Sequence, residues 1–238
     1  MSKFHTIGFI FFTIVNFVSI LILYQHYRNS IFATKSLNSV KNGNVKRQHE
    51  SVTIKTLQGS YIGFVQKFNN KRIKTFLSIP YAIPPKDEYR FKHPHPFQLN
   101  GASIQTDRWP KPCLQPDNHL RLKNHDFSED CLYLNVWSPN ETQELSLPVL
   151  VVIHTGAFLF GSASEVTYNG LALSQLSNTV VVTFNYRLNL FGFYYNPDEN
   201  ITSNVGMLDQ VLLLRWVQQN IRHFGGDPSR ITLIGQVS

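Results

Sequence analysis

The stretch Pro148–Phe158 reads Pro-Val-Leu-Val-Val-Ile-His-Thr-Gly-Ala-Phe, and it is the strongest indication of fold class in the sequence. Up to His154 its residues are almost all apolar and several are β-branched, which is typical of a strand buried on both faces. Two further runs of this kind, Leu132–Trp137 and Thr179–Asn185, lie before and after it. The three runs therefore predict strands in the core of a parallel α/β sheet.

Helical patterns follow this strand and complete the α/β arrangement. A short helix is predicted around Tyr168–Leu176, and a longer one over Met207–His223, where apolar residues recur at helical spacing. Asp209 suits the first turn of the longer helix and Arg222 its last turn, because both charges oppose the helix dipole. A Gly-Gly-Asp-Pro turn ends this helix, and Arg230–Gly235 is then predicted to be a final buried strand.

Upstream of the sheet core, the chain is expected to form a small antiparallel hairpin. Ser51–Leu57 and Tyr61–Lys67 are strand-like and are separated by Gln-Gly-Ser, and Ile73–Ile79 is a third strand-like run. Residues 80–128 are rich in proline and histidine and lack periodicity, so a long irregular surface segment is predicted there.

Small residues at the end of the decisive strand favour a catalytic role. Ligand sites in parallel sheets lie at the C-terminal ends of strands, where Thr155, Gly156 and Ala157 are found. Small side chains leave backbone amides accessible, so the N–H groups of Gly156 and Ala157 are candidate donors of an oxyanion hole. The same residues also fit an ordinary tight turn.

The end of the last predicted strand has the beginning of a nucleophile elbow. In a G-x-S-x-G elbow, the nucleophilic serine stands two residues after the first glycine, which here is Gly235. Val237 occupies that position, and Ser238 is one residue late, where its side chain would point elsewhere. No serine nucleophile is therefore predicted at this elbow.

Ordered motifs along the chain resemble one known family. They are Phe76–Ala82, Arg90-Phe91, Cys113 with Gln115, Glu129–Trp137, Asn185–Arg187, Gly206–Gln210 and Phe224–Pro228. By these motifs, residues 51–235 are similar to the N-terminal part of the type-B carboxylesterase/cholinesterase family of α/β-hydrolases. Glu129–Trp137 and Phe224–Pro228 are the most specific of the matches.

The resemblance implies a fold class, an activity and a site. The implied fold class is α/β: a truncated α/β-hydrolase with a small N-terminal antiparallel hairpin and an incomplete central, mostly parallel sheet. The family hydrolyses esters through an acyl-enzyme intermediate, with a Ser–Glu/Asp–His triad and an HGGG-type oxyanion loop. That loop corresponds to His154–Ala157, which places the oxyanion hole at Gly156 and Ala157. Thr155 departs from the usual glycine and would cost about 1–3 kcal/mol if its φ had to be positive.

The catalytic set of the family is incomplete in this sequence. Val237 stands at the nucleophile position, and the 238 residues hold no complete triad. The chain is therefore predicted to be inactive as an esterase, with an ester substrate expected only for a full-length domain. Two other roles stay open: a membrane-anchored, non-catalytic adhesion or partner-binding protein, and a truncated product without function.

The cysteines and two sequons indicate the secretory pathway. By the resemblance, Cys113 and Cys131 form a disulfide, which would contribute about 3 kcal/mol for a loop of this size, with two unlinked thiols as the alternative. Asn140 and Asn200 begin Asn-x-Thr sequons and are candidate glycosylation sites. Disulfide formation and passage through the secretory pathway support each other.

Residues 1–26 are predicted to be a signal anchor or a signal peptide. Ile7–Tyr24 holds no charged residue and, at about 27 Å as a helix, is just long enough for a bilayer core. No small-residue cleavage pattern follows, which favours an anchor over a cleaved peptide. A membrane protein of the secretory pathway with a lumenal or extracellular domain is expected, or a secreted one after cleavage. The basic residues beyond the segment favour the opposite orientation.

Charge and composition exclude other classes of function. Before residue 51, six Lys and Arg residues stand against one Glu, so this segment holds five of the seven net positive charges. Residues 27–50 are therefore a basic polar stalk, whereas residues 51–238 are nearly neutral, and no nucleic-acid partner is expected. His93 and His95 lack a closed ligand set, so no metal is expected, and no cofactor motif is present.

Overall fold

The computed structural model describes residues 50–116, 126–139, 146–196 and 201–236. The predicted anchor, residues 27–49 of the stalk, both sequon asparagines and Val237 lie outside the described residues. No helix within the described ranges is long and apolar enough to cross a membrane.

The described residues contain eight strands and three α-helices. The strands are β1 (Ser51–Lys55), β2 (Ser60–Phe68), β3 (Lys71–Pro80), β4 (Ser103–Gln105), β5 (Tyr133–Pro139), β6 (Leu147–Ile153), β7 (Val180–Phe184) and β8 (Gly226–Gly235). The α-helices are α1 (Leu171–Ser177), α2 (Asn189–Phe193) and α3 (Val205–Asn220). All eight strands belong to one sheet, so the α/β class is confirmed.

The sheet is mixed, with an antiparallel and a parallel half. Its order is β1-β2-β3-β5-β7-β6-β8, and β4 pairs with β2. Neighbours from β1 to β7 along this order are antiparallel, whereas β6 pairs in parallel with both β7 and β8. The predicted hairpin is confirmed as β1 and β2, and the described part of the long segment before β5 is largely irregular.

Strands β5 and β7 form the centre of the core because most of their side chains are apolar and nearly all are buried. Trp137, Val181 and Val182 are fully buried, as the composition of these runs predicts. The buried polar pair on these strands is satisfied internally, since Asn135 Nδ2 donates to Thr183 Oγ1 at 3.0 Å. Burial of polar atoms in the sheet therefore costs little here.

An aromatic cluster attaches the hairpin to the end of α3. The rings of Phe76 and Phe224 meet edge to face with their centroids 5.1 Å apart, and Tyr61 lies 5.9 Å from Phe224 and 6.3 Å from Trp216. Edge-to-face contacts of this kind contribute about 0.5–1.5 kcal/mol beyond area burial. The antiparallel half of the sheet is thus part of the same core as the parallel half.

The prediction that β8 is buried is wrong. Leu233 and Ile234 are 50% and 48% exposed, and most of the strand is accessible. β8 lies at the edge of the sheet with β6 as its neighbour, and among the described residues nothing covers its second half. The apolar residues of Arg230–Gly235 predict the strand correctly but not its surroundings.

The predicted inner face of the long helix is only partly right. Met207 and Val211 are each 43% exposed, whereas Asp209 is fully buried beneath the helix. Gly206 decides this rotation, because a Cβ there would lie 2.4 Å from the carbonyl oxygen of Arg187. The helix places Gly206 against the backbone of Arg187. The sequence indicates that Asp209 is a surface charge in the first turn of the helix, whereas the structure buries it.

Candidate oxyanion-binding site

The two predicted strand ends lie side by side at one edge of the sheet. Ile153 at the end of β6 pairs in register with Gly235 at the end of β8. The turn that follows β6 therefore begins beside the strand that leads to the predicted elbow. This is the C-terminal edge of parallel strands, where such sheets bind ligands.

The turn after β6 has a backbone that few residues adopt. Gly156, Ala157 and Phe158 all have positive φ, at 142°, 51° and 63°. A Cβ on Gly156 would lie 1.8 Å from the carbonyl oxygen of Phe160, so only glycine fits there. Thr155 is not among the residues with positive φ, and the strain considered for it does not arise.

The amides of Gly156 and Ala157 are left uncommitted by this turn. The turn closes through the carbonyl oxygen of Gly156, which accepts from the amides of Leu159 at 2.9 Å and Phe160 at 3.3 Å. The amide of Thr155 donates to the Tyr168 hydroxyl at 2.7 Å. Within the described residues no acceptor is bonded to the Gly156 or Ala157 N–H groups, which is the state required of oxyanion donors.

Gln115 fixes the far end of the turn through a double hydrogen bond. Its Nε2 donates to the Gly161 carbonyl at 2.9 Å, and its Oε1 accepts from the Gly161 amide at 2.8 Å. Gly161 has a φ of 113°, and a Cβ there would lie 2.4 Å from the carbonyl oxygen of Thr155. Gln115 stands two residues after Cys113, which is disulfide-bonded to Cys131. The predicted disulfide is confirmed, and it encloses the residue that holds the turn.

Asn185 holds the segment that leaves the turn. Its Oδ1 accepts from the Ala163 amide at 2.8 Å and from Ser162 Oγ at 3.1 Å. Its Nδ2 donates to the Lys111 carbonyl at 2.9 Å, and the side chain is 1% exposed. A single buried amide thereby joins the end of β7 to the segment after the turn and to the residue that lies two positions before Cys113.

A buried ion pair joins Arg187, which follows β7, to Asp209 on α3. Arg187 donates from Nη2 to Asp209 Oδ1 at 2.7 Å and from Nε to Oδ2 at 2.8 Å, and its backbone amide reaches Oδ2 at 3.0 Å. The two side chains are 4% and 0% exposed. Burial raises the pKa of the Asp209 carboxyl, and the hydrogen bonds from Arg187 oppose that shift. The pair fixes the start of α3 relative to the strand ends.

His154 is a structural rather than a proton-transferring residue. It is 1% exposed, its Nδ1 lies 3.1 Å from the Thr155 carbonyl, and its ring stacks on Tyr186 with centroids 4.8 Å apart. Burial lowers the pKa of His154 to about 4, although the bond to Thr155 opposes the shift. The imidazole is therefore neutral at pH 7, and a buried ring with so low a pKa is poorly matched to general-base catalysis.

The structure places the predicted residues as follows. Gly156 and Ala157 lie on the turn after β6, and the Cys113–Cys131 bridge is formed. Val237, Asn140 and Asn200 lie outside the described residues, and the described ranges contain no cluster of side chains able to hold a metal ion. Sequence reasoning missed the supporting groups of Asn185, Tyr168 and the Arg187–Asp209 pair. The signal available for Asn185 and Arg187 was a polar Asn-Tyr-Arg segment directly after a mostly apolar strand.

The comparisons with known proteins agree on one family. The model of the carboxylesterase family matches residues 48–238. The chain is 43% identical to human cocaine esterase, covering 70% of this chain and 32% of that protein. It is 40% identical both to acetylcholinesterase-1 of Trittame loki and to para-nitrobenzyl esterase of Bacillus subtilis (strain 168). These two matches cover 77% and 73% of this chain, and 34% and 36% of the relatives.

A solved structure shows the same resemblance in three dimensions. The thermophilic PNB esterase superimposes with a TM-score of 0.70 at 39% identity, covering 79% of this chain and 38% of that one. The chain thus spans about a third of the length of the curated relatives that it matches.

Proposed function

The chain belongs to the carboxylesterase family, and on that premise we propose that it provides the oxyanion-binding part of a serine esterase. The observation that carries the proposal is the pair of uncommitted amides on Gly156 and Ala157, on a turn held at Thr155 before it and at Gly161 after it. Donors that are fixed before reaction do not need to reorganise as charge develops on the carbonyl oxygen. One such donor is worth about 2.7–4 kcal/mol of transition-state stabilisation.

The reaction that this site would serve is acyl transfer from a carboxylic ester. A nucleophile presented from the end of β8 would attack the ester carbonyl, and the oxygen would gain negative charge beside Gly156 and Ala157. The in-register pairing of Ile153 with Gly235 supports this arrangement, because it puts the elbow strand next to the turn. The names of the relatives refer to cocaine, para-nitrobenzyl and acetylcholine esters, so we propose the class of carboxylic esters and no single substrate.

The proposal includes an absence of turnover by the 238-residue polypeptide itself. Val237 stands where a G-x-S-x-G elbow has its serine, and a valine side chain cannot form an acyl-enzyme. The neutral, buried His154 offers no replacement base. We therefore propose that this chain has the oxyanion-binding turn but lacks the serine nucleophile that the turn would serve.

Two measurements on the purified 238-residue chain test these statements. Amide hydrogen exchange should be at least about tenfold faster at Gly156 and Ala157 than at Gly161, whose amide is bonded to Gln115. Equal protection at all three amides would contradict the oxyanion assignment. Hydrolysis of 4-nitrophenyl acetate and labelling by a fluorophosphonate should both stay at the level of heat-denatured protein. Covalent labelling of Ser238 would overturn the proposed inactivity.

A second candidate function is a membrane-anchored binding protein without catalysis. The uncharged Ile7–Tyr24 segment and the valine at position 237 favour it, and the sequons at Asn140 and Asn200 agree with a lumenal or extracellular domain. In cells, the protein should resist carbonate extraction from membranes and lose mass on treatment with an N-glycosidase. The double variant Asn140→Gln/Asn200→Gln should abolish that mass change. Release by carbonate would contradict the anchor, and an unchanged mass of the wild-type chain would contradict the lumenal location.

A further inference from the structure

A cavity lies apart from the oxyanion turn, and we call it the Trp109 cavity. It encloses about 580 Å³ and is lined by the ends of β3 and β5, by β4 and by residues 107–111. Its apolar wall includes Pro80, Phe97, Ile104, Trp109 and Pro110. None of its lining residues belongs to the turn after β6. A volume of this size lies within the range of small-molecule sites, which is about 300–1,000 Å³.

The walls of the Trp109 cavity are held in place by contacts outside it. The carbonyl of Pro110 accepts from Ser164 Oγ, and the carbonyl of Lys111 accepts from the buried Asn185 at 2.9 Å. The indole of Trp109 packs on the fully buried Trp137 with ring centroids 5.9 Å apart. Trp109 is nevertheless 39% exposed, so one part of its ring remains available to a ligand. A cavity that is formed in advance avoids the cost of ordering side chains on binding.

The charges around the cavity leave one carboxylate without a cation. The ammonium of Lys111 is bonded to Asp126, which is outside the lining. The side chain of Arg108 is 92% exposed and lies 3.9 Å from Asp107, so its charge is directed into solvent and toward that neighbour. Asp130 has no cationic partner among the described residues.

Asp130 is oriented toward the cavity by a tyrosine. The Tyr133 hydroxyl donates to Asp130 Oδ1 at 2.6 Å, and the Asp130 amide donates to Ser128 Oγ at 3.0 Å. Both Asp130 and Tyr133 line the cavity. Within the described residues no hydrogen bond uses Oδ2 of Asp130, so this oxygen is free to accept from a ligand. Charge-assisted bonds to such an oxygen are about twice as strong as neutral ones.

We propose that the Trp109 cavity binds an arylalkyl amine in its ammonium form, with the aromatic ring against Trp109 and the ammonium on Asp130. The apolar wall and the exposed indole would take the ring, and the unpaired carboxylate would select a cation over a neutral or anionic group of the same shape. The inference concerns a site away from the oxyanion turn and does not depend on the ester chemistry proposed above.

The first test compares three probes of similar shape on the purified 238-residue chain. Dissociation constants are measured by chemical-shift titration for 2-phenylethylammonium, 2-phenylethanol and 3-phenylpropionate at pH 7. The ammonium should bind at least about tenfold more tightly than the alcohol, and the carboxylate should bind most weakly. The largest shift should be that of the Trp109 indole N–H. Equal affinity for the ammonium and the alcohol would overturn the proposal.

The second test uses substitutions with a matched control. Asp130→Asn keeps an acceptor for the Tyr133 hydroxyl and removes the charge, so it should weaken the ammonium about tenfold and leave the alcohol unchanged. Trp109→Ala should weaken both probes. Asp227→Asn removes a partly exposed carboxylate on β8, away from the cavity lining, and should change neither. Unchanged binding of the ammonium to Asp130→Asn would overturn the proposal. Should that variant fail to fold, the wild-type chain is titrated at low and high salt. The ammonium should lose most of its higher affinity over the alcohol at high salt, and an affinity ratio unchanged by salt would overturn the proposal.

Discussion

The ends of β6 and β8 lie side by side in the sheet, yet they are supported very differently. The turn after β6 is held by Gln115, Asn185 and Tyr168, and the residue before it, His154, is buried. The second half of β8 is exposed on an edge strand. Two parallel strands of similar apolar sequence thus have opposite environments. Position in the sheet accounts for part of the contrast, because β6 lies between β7 and β8 whereas β8 has β6 as its one neighbour among the described strands. The turn after β6 is further fixed by side-chain hydrogen bonds from outside the strand.

The largest expected effect on stability comes from breaking the buried Arg187–Asp209 ion pair. Asp209→Ala leaves the Arg187 guanidinium buried without its partner, so the free energy of unfolding should fall by about 3–5 kcal/mol. Urea denaturation measures it. The double variant Arg187→Met/Asp209→Leu is the control and should cost much less, because no buried charge remains. A loss below 1 kcal/mol for Asp209→Ala would mean that the pair does not support this edge.

The pH dependence of stability should report on His154. Its pKa is about 4 when folded and about 6.5 when unfolded, so the unfolded chain binds the proton more readily between these values. The contribution of neutral His154 is therefore complete above about pH 6.5 and is lost as the pH falls toward 4, by up to about 3 kcal/mol. Urea denaturation from pH 7 to pH 4.5 measures the loss.

His154→Phe supplies the comparison for this prediction. The phenyl ring can keep the stacking on Tyr186 but takes up no proton, so the fall of stability with acid should be shallower in this variant. Identical slopes in the two proteins would show that other groups cause the acid dependence.

A smaller loss is expected when the support of the turn itself is removed. Gln115→Ala leaves the amide and the carbonyl of Gly161 without their partners, at a cost of about 1–3 kcal/mol. Hydrogen exchange at Gly161 should accelerate in the same variant. Gln218→Ala, at an exposed position on α3, is the control and should affect neither measurement. Unaltered exchange at Gly161 would show that Gln115 is not what holds the turn.

The smallest effect is expected on β8 and makes the comparison of the two strands direct. Leu233 pairs in register with Val151 of β6, so an apolar residue can be replaced by threonine on either side of one strand pair. Leu233→Thr on the exposed strand should alter stability by less than about 0.5 kcal/mol. Val151→Thr places a hydroxyl in the core and should cost about 1–3 kcal/mol. Equal losses would show that β8 is covered in solution.

The sequence predicts the elements of this fold more readily than their surroundings. Apolar runs such as Pro148–His154 predict strands because backbone and side-chain preferences are local, and Gly156 is predictable because only a small residue permits such a turn. The same runs do not show strand direction, so the antiparallel pairing of β5 was not predicted. The inner face of α3 was misjudged for a related reason. The rotation of α3 about its axis depends on the close approach of Gly206 to Arg187 and on the ion pair of Asp209 with Arg187. Helical periodicity in the sequence gives no information on either contact.

The double hydrogen bond of Gln115 has a consequence for how this protein matures. Gln115 lies within the covalent loop closed by Cys113 and Cys131, so sealing the two sulfurs limits how far its amide can drift from Gly161. A newly synthesised chain should therefore reach the final geometry of this turn only after thiol oxidation. Folding under reducing conditions would give a similar sheet with a looser turn.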